Sequence, residues 1–514
     1  MRSPLHLLLL VLAACGGGPG DAGAPNVLLV TLDTTRPDYL SCYSEARAGT
    51  PTLQAMADRG ALFEAAMSAS GVTPVSHATI LTGGFPYEHG LRVLSAGSGF
   101  RLPQDQPTIA SVLRDRGYQT AAIQSAFPVS GYFGFQKDYD VFEDLYGEMR
   151  VDEAAGKTVW DGDTLQRRSD ETASIVLGYL ERAAEDGRPF FLWLHLWDPH
   201  DPWIKPPAQY LQHLELNDDQ YLPSTQLYAQ VYSAEVRFMD RQLGVIFEGL
   251  ETRDLLDDTL VCVTADHGEG LGDGFAAHGW SKHRMNYQEQ LHVPLLLSGP
   301  GVPSGIRVPD MVRTADIVPT LLDLAGCPDA APPGAGRSLR PVLQGEHLSP
   351  AMAYAEQING YDANASMVKN RPDAAFLYTV CDGEWKLIYR PHMVEASELF
   401  NLRQDPRERR NVMAANPEVA LRLMADLAAR NPWVLAEFPT VGSGFDADLS
   451  ADLEAIGYGG GGGGDTGAWW WTCPAHTEYR RDTREGPGGT KRHGAEGCRQ
   501  PLLPRTTFTP AEDG

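Results

Sequence analysis

Four stretches of this chain carry groups that bind hard cations, move protons or attack esters. Asn26-Val27-Leu28-Leu29-Val30-Thr31-Leu32 is an apolar run that ends in Asp33. Pro189 to Leu196 is a second run, passing through His195 into Trp197-Asp198-Pro199-His200-Asp201-Pro202. Thr259 to Ala265 is a third, ending in Asp266-His267-Gly268-Glu269. Between the first two lies Gly71-Val72-Thr73-Pro74-Val75-Ser76-His77-Ala78-Thr79-Ile80-Leu81-Thr82-Gly83. Two carboxylates and an imidazole suit calcium, magnesium or manganese and do not exclude zinc. Thr73 stands where an N-cap belongs, Pro74 fits the first helical position, and Gly83 is a natural stop. Such a helix start offers free N–H groups and a positive dipole end, so it is an anion site with a nucleophile built into it. His77 and His200 titrate near neutral pH and can move protons. Singly, each feature has a plainer reading: a strand-end Asp is often a cap, and Asp-His-Gly is often a turn.

The elements that must position these groups follow from pattern. The three apolar runs are too short for helices and rich in β-formers, so they predict buried parallel strands. Thr52–Arg59, Thr108–Arg116, Ser169–Ala184 and Leu227–Leu250 read as helices between them, and His292–Leu297 as a further strand. This alternation predicts an α/β fold, a doubly wound, mostly parallel sheet flanked by helices. Parallel strands present their carboxyl ends along one edge, where Asp33, Asp266 and His267 can converge on one cation with Thr73 above it. Val129 to Trp160 reads as a long surface excursion. After the Pro/Gly-rich break at Pro328–Gly336, Trp385–Tyr389 and Glu398–Leu402 read as half-exposed strands and Glu418–Arg430 as a terminal helix, a small C-terminal α+β subdomain.

The net charge of −25 argues against nucleic acid or an anionic membrane surface as a main partner. Arg2, the apolar run Leu7–Leu12 and Ala13-Ala14-Cys15 form a secretory leader. Leu12-Ala13-Ala14-Cys15 resembles a bacterial lipobox, which implies a lipoprotein of the cell envelope anchored through Cys15. The run is too short to span a membrane. The other cysteines (Cys42, Cys262, Cys327, Cys381, Cys473 and Cys498) have no metal-site spacing; in an oxidising envelope some can pair, Cys473 with Cys498 for instance. The organisation is thus a signal peptide (1–15), a tether (16–25), a catalytic α/β domain (26–344), the C-terminal subdomain (345–458) and a Gly-rich tail (459–514) expected to be disordered.

Taken together, these motifs resemble the sulfatase family of the alkaline phosphatase superfamily. Asn26–Tyr43 resembles its opening strand and aspartate loop, Thr73–Gly83 its Cys-x-Pro-Ser-Arg helix, and Phe190–Pro202 its strand into a Pro-His turn. Thr264–Glu269 resembles its second metal segment, and Glu398–Leu402 with Asp405-Pro406 and Glu408 its C-terminal subdomain. The departures are specific. Thr73 stands in place of the cysteine that becomes formylglycine, Val75 and His77 replace the motif's Pro and Arg, and Thr34 replaces the second aspartate of an Asp-Asp pair. The family's Gly-Lys-Trp-His segment has no match near Gln124-Ser125.

The resemblance implies a metal-dependent hydrolase of sulfate or phosphate esters. One divalent cation (Ca, Mg or Mn ahead of Zn) would sit on Asp33, Asp266, His267 and Thr73, with His195, His278, Lys282 and His283 holding the substrate. Its substrate would be a small anionic ester or a sulfated or phosphorylated glycan or lipid. Thr73 as a direct nucleophile matches the one-metal phosphodiesterases and phosphotransferases of the superfamily. A third reading is a silent binding protein that kept the fold and the anion pocket.

Overall fold

The computed structural model describes residues 23–44, 49–94, 101–145, 150–152, 157–159, 166–200, 206–212, 225–272, 284–360, 368 and 371–431. Its strands, in chain order, are β1 (Asn26–Leu32), β2 (Ala61–Met67), β3 (Gln119–Ile123), β4 (Val141–Glu143), β5 (Arg150–Asp152), β6 (Lys157–Val159) and β7 (Phe190–Leu196). β8 (Thr259–Ala265), β9 (His292–Ser298) and β10 (Ile306–Arg313) follow, then β11 (Ala353–Gln357), β12 (Leu377–Cys381), β13 (Trp385–Tyr389) and β14 (Glu398–Asn401). An eight-stranded sheet runs in the order β10-β2-β9-β8-β1-β7-β3-β4. β9 pairs antiparallel with both β8 and β2, and the remaining pairs are parallel.

β1, β7 and β8 are buried at every position, as their unbroken apolar runs require. Both faces of the sheet are covered. On one face Val72, Val75, Leu113, Val318 and Leu321 from helices and their approaches pack on Leu29, Trp193 and Cys262. On the other, Leu53, Met56, Val176, Leu180, Met239 and Leu243 pack on Leu28, Leu192 and Val263. The helices Pro51–Asp58, Thr73–Thr82, Ile109–Arg114, Ser169–Asp186 and Thr225–Glu251 lie within a few residues of the expected spans, and Ile317–Leu324 is a further helix that was not expected. The doubly wound α/β expectation holds.

Register fixes the geometry of the carboxyl edge. Leu32 of β1 pairs with Leu196 of β7 and with Ala265 of β8, so these strands end level. The next residues are Asp33, Trp197 and Asp266. Asp33 N–H continues the ladder to the Leu196 carbonyl at 2.8 Å. Asp33 and Asp266 therefore leave neighbouring strands at the same height.

A second, antiparallel sheet, β11-β12-β13-β14, is covered by the helix Pro417–Arg430. Leu423, Met424 and Leu427 pack on Val380, Leu387 and Leu399, in a cluster that also takes Ala69, Phe85 and Ala315 from the main body. Trp385–Tyr389 and Glu398–Asn401 are almost wholly buried, not half-exposed, because both faces of this sheet meet other elements. Lys386 and Glu408 form a fully buried ion pair at 2.8 Å, and Gln288, ahead of β9, bonds to both.

One further expectation changes. The start of the supposed surface excursion is core: Val129, Phe133 and Phe135 are buried, and Val141–Glu143 adds the edge strand β4. Cys42, Cys262, Cys327 and Cys381 are free, buried thiols; Cys473, Cys498 and the Gly-rich tail lie outside the described residues. Among the described residues no helix is long and apolar enough to cross a membrane.

Candidate active site

Asp33, Asp266 and His267 meet at the carboxyl edge, each offering a ligand atom within 4.8 Å of the others, and all three are fully buried. Each carboxylate has one oxygen held and one bare. Asp266 Oδ1 accepts the Thr34 N–H at 3.0 Å and the His267 N–H at 2.7 Å, while its Oδ2 has no hydrogen-bond partner. Asp33 Oδ2 lies 3.0 Å from His195 Nε2, while Oδ1 is bare. Burial, then the charges of Asp266 and Glu269, push the Asp33 carboxyl well above the usual carboxylate range. Two buried carboxylates this close, each with a bare oxygen, are unfavourable without a cation. The residues fit a divalent ion.

His267 completes the donor set. Its Nδ1 lies 2.9 Å from the Gly268 carbonyl, so Nδ1 carries the proton and Nε2 presents its lone pair to the site. Gly268 is required there: a Cβ would collide with the Glu289 carbonyl, and its N–H bonds Gln290 O at 2.7 Å.

Thr73 is not the N-cap. The helix Thr73–Thr82 begins one residue earlier than the Thr-Pro pair suggests, Val72 takes the cap position, and no side chain caps it. Gly83 ends the helix in the left-handed conformation, at φ 77°, as expected. The Thr73 hydroxyl faces the site instead. It lies 3.2 Å from His267 Nε2 and hydrogen-bonds Asp33. Its single proton thus meets two acceptors, the arrangement an activated nucleophile needs.

The histidines divide. His77 Nδ1 donates to Thr73 O at 2.8 Å, and Nε2 accepts from the Thr31 hydroxyl at 3.0 Å. Burial lowers its basicity. Both nitrogens are engaged, so His77 braces the helix against β1, and its expected role in proton transfer is not what this geometry favours. His195 sits behind Asp33 and not towards a substrate: strand alternation puts it on the same sheet face as Trp193, beneath the carboxylate. Burial, then His77, His200 and His267, hold its basicity well below normal. With Asp33 ionised, the neutral ring donates Nε2–H to Oδ2 and orients the ligand. His200 stacks on Trp197, ring centroids 3.8 Å apart. His278, Lys282 and His283 lie outside the described residues.

The turn carrying His200 is tied down by Asp198, whose carboxylate accepts the Ser169 N–H at 2.9 Å and the Ser169 hydroxyl. Burial pushes the Asp198 carboxyl up to about 6, against the opposing pull of those bonds. An unfolded aspartate titrates near ~3.9. The native chain therefore holds the proton more tightly. The stability this contributes is fully present below about pH 4 and lost as pH rises through about 6. Asp198→Asn keeps an acceptor for Ser169 and removes the loss. Urea unfolding at about pH 4 and about pH 7 should show the variant losing less stability than the parent, by on the order of 1–3 kcal/mol. Parallel losses would show that Asp198 does not titrate in this range.

Three contributors were not among the expected site residues. Glu269 is buried close enough to raise Asp33. Thr34 holds Asp266 from a left-handed backbone, φ 46°, a strained state for a β-branched residue that costs ~1–3 kcal/mol. Tyr232, from the long helix Thr225–Glu251, donates its hydroxyl to Thr34 O at 2.7 Å and accepts Arg36 N–H at 2.9 Å. Glu269 carried a signal, since it closes the Asp266–Glu269 segment. Tyr232 carried none.

A level edge of parallel strands presenting two carboxylates, an imidazole and a hydroxyl is an arrangement suited to ester hydrolysis, and fold and site together are those of the alkaline phosphatase superfamily. The sulfatase family model matches residues 25–327, more than half of the chain, and the model for the C-terminal region of N-sulphoglucosamine sulphohydrolase matches residues 276–430. The chain belongs to the sulfatase family, the sulfuric ester hydrolases of that superfamily. An N-acetylglucosamine-6-O-sulfatase of Bacteroides thetaiotaomicron is 24% identical over 502 residues, covering 79% of this chain and 86% of that protein. A choline-sulfatase of Rhizobium meliloti is 26% identical over 460 residues, covering 77% and 83%. Among solved structures, one bound to D-glucosamine-2-N,6-O-disulfate superposes with a TM-score of 0.63 at 22% identity, covering 80% of this chain and 98% of that one. The phosphonate monoester hydrolase of Agrobacterium radiobacter gives 0.60 at 22% identity, covering 79% and 96%.

Proposed function

We propose that this chain is a metal-dependent hydrolase of sulfate or phosphate esters that uses Thr73 as its nucleophile. The observation that carries this is the Thr73 hydroxyl, released from capping and held between His267 Nε2 and Asp33. Asp33, Asp266 and His267 would hold a divalent cation, which would supply Lewis acidity towards the Thr73 hydroxyl and the ester. Thr73 Oγ1 forms a bond to the sulfur or phosphorus as the bond to the leaving oxygen breaks, and the departing alcohol takes up a proton. Water then attacks the same central atom, the bond to Oγ1 breaks, and Thr73 regains its proton. His200, fixed by Trp197 and Asp198, is the proton carrier this reading favours.

Threonine has one hydroxyl, so the enzyme-bound ester has no geminal oxygen to expel it, and release requires attack at the central atom. This supports a second reading, a phosphodiesterase or phospho-group transferase. The sulfated sugars named for the relatives support a sulfated glycan as substrate. The deciding experiment is turnover of an aryl sulfate, a glucosamine 6-sulfate, a phosphate monoester and a phosphodiester, each with and without Mn, Mg, Ca and Zn. Metal-stimulated turnover of any one identifies the ester class. Failure of all four with a loaded protein would leave the silent anion-binding reading.

We place the protein in the bacterial envelope, tethered by a lipid on Cys15 after Leu12-Ala13-Ala14. Cys15→Ala should abolish lipid labelling and membrane partitioning. Unchanged partitioning would refute the anchor.

A further inference from the structure

We propose that Thr34 is a catalytic, substrate-binding residue, whose hydroxyl donates a hydrogen bond to a non-bridging oxygen of the group transferred to Thr73. This rests on the reading of the site as an ester hydrolase.

The first warrant is place. Thr34 follows Asp33 directly, and its N–H lies 3.0 Å from Asp266 Oδ1, so the residue bridges the two carboxylates of the candidate centre. The second is an unsatisfied hydrogen-bonding group. Thr34 is fully buried, and its Oγ1 has no hydrogen-bond partner. A buried hydroxyl without a partner is rare and destabilising, and it is accounted for when a ligand supplies the partner. The third is complementarity. The bare oxygens of the two carboxylates it adjoins in chain and by hydrogen bond, Asp33 Oδ1 and Asp266 Oδ2, are acceptors that serve a cation. An anion arriving there needs donors, and the Thr34 O–H is one.

The backbone adds a fourth warrant. Thr34 holds φ 46°, where glycine or asparagine sits with less strain. The Tyr232 hydroxyl, at 2.7 Å from Thr34 O, and Asp266 keep it there. A residue chosen for the turn alone would have no hydroxyl on a β-branched carbon. A donor fixed in advance at the charge that develops in the transition state is the device that stabilises oxyanions.

The alternative role is that Thr34 Oγ1 binds the cation. Thr34→Val removes the hydroxyl but keeps the shape and the backbone demand, and Thr34→Ser keeps the hydroxyl. Three readouts apply to the full chain: Mn affinity by calorimetry, binding of inorganic phosphate and sulfate to the Mn-loaded protein, and kcat and KM on the best ester of the panel. The expected result for Thr34→Val is an unchanged Mn affinity, anion binding weakened about 10-fold or more, and kcat lowered ~10²-fold. Thr34→Ser should restore most of both losses. Mn affinity falling in step with anion affinity in Thr34→Val would assign the hydroxyl to the cation and overturn the proposal. Parental anion binding in Thr34→Val would overturn it as well, as would a serine variant as impaired as the valine. Should Thr34→Val not fold, the serine result and Thr34→Gly, which suits the turn and has no side-chain donor, decide it. A parent that binds phosphate through Thr34 yet turns over no ester would refute the hydrolase reading and the catalytic role with it, leaving Thr34 as an anion-binding residue. Normal turnover with anion binding indifferent to Thr34 would keep the hydrolase reading and overturn this one.

Discussion

Thr73→Ala is expected to lower turnover by at least ~10³-fold while cation binding and thermal stability stay close to parental. A hydroxyl that served as an N-cap would give the opposite pattern, a loss of about 1 kcal/mol of stability with activity retained. The geometry separates the two, because Val72 occupies the cap and the hydroxyl meets His267 Nε2 at 3.2 Å. Thr73→Ser should retain a substantial fraction of activity, since it keeps the attacking oxygen. Thr73→Cys should not gain sulfatase activity, because Val75 and His77 still differ from the family motif and leave no signal for formylglycine. The measurement is kcat on the preferred ester beside calorimetric titration of the cation and a melting curve. An alanine variant that hydrolyses at the parental rate would remove Thr73 from the chemistry.

Asp266→Asn should abolish activity by emptying the site. Asp266 Oδ1 keeps its bonds to the Thr34 and His267 N–H groups in the asparagine, but the bare Oδ2 becomes an amide with no charge to give. Cation affinity should fall by ~10²-fold or more. Because the cation binds only the native state, saturating the parent at about 100 times its Kd should add ~2.7 kcal/mol of stability. The variant should show no such gain. Without cation the variant should be at least as stable as the parent, since it removes one of two like charges held in a buried place. His195→Ala, which only frees Asp33 Oδ2, should fall between the two, at ~10–100-fold in affinity. Metal-dependent turnover and a metal-dependent melting point in Asp266→Asn equal to the parent's would show that the ion, if any, binds elsewhere.

The strands that carry chemistry were the most legible part of the chain, and the reason is physical. β1, β7 and β8 are buried on both faces, so their sequences are unbroken apolar runs, and a charged residue can appear only where the strand leaves the core. Their ends announced the site. β2 gave no such signal: Ala61-Leu62-Phe63-Glu64-Ala65-Ala66-Met67 has the composition of a helix, and pairing between β9 and β10 makes it a strand. β10 contains Pro309 and exposed positions, accommodated by a register shift between Val308 and Met311. Thr73 was read as a cap because Thr-Pro is a common helix opening, and local preference cannot see His267, which arrives from 194 residues away. His195 was expected to hold the substrate on the strength of the family resemblance. Only the pairing of Thr31 with His195 reveals that it lies beneath Asp33.

The level ends of β7, β1 and β8 separate foundation from instrument. The backbone that presents Asp33 and Asp266 is set by ladder bonds and by apolar side chains earlier in each strand, none of which depends on the identity of the residue that follows. Exchange of a reacting group alters charge, acidity or nucleophilicity without moving the platform that holds it. A fold built this way can exchange residues at its strand ends, and with them its chemistry, while the platform stays intact. Its evolvability is a property of strand register.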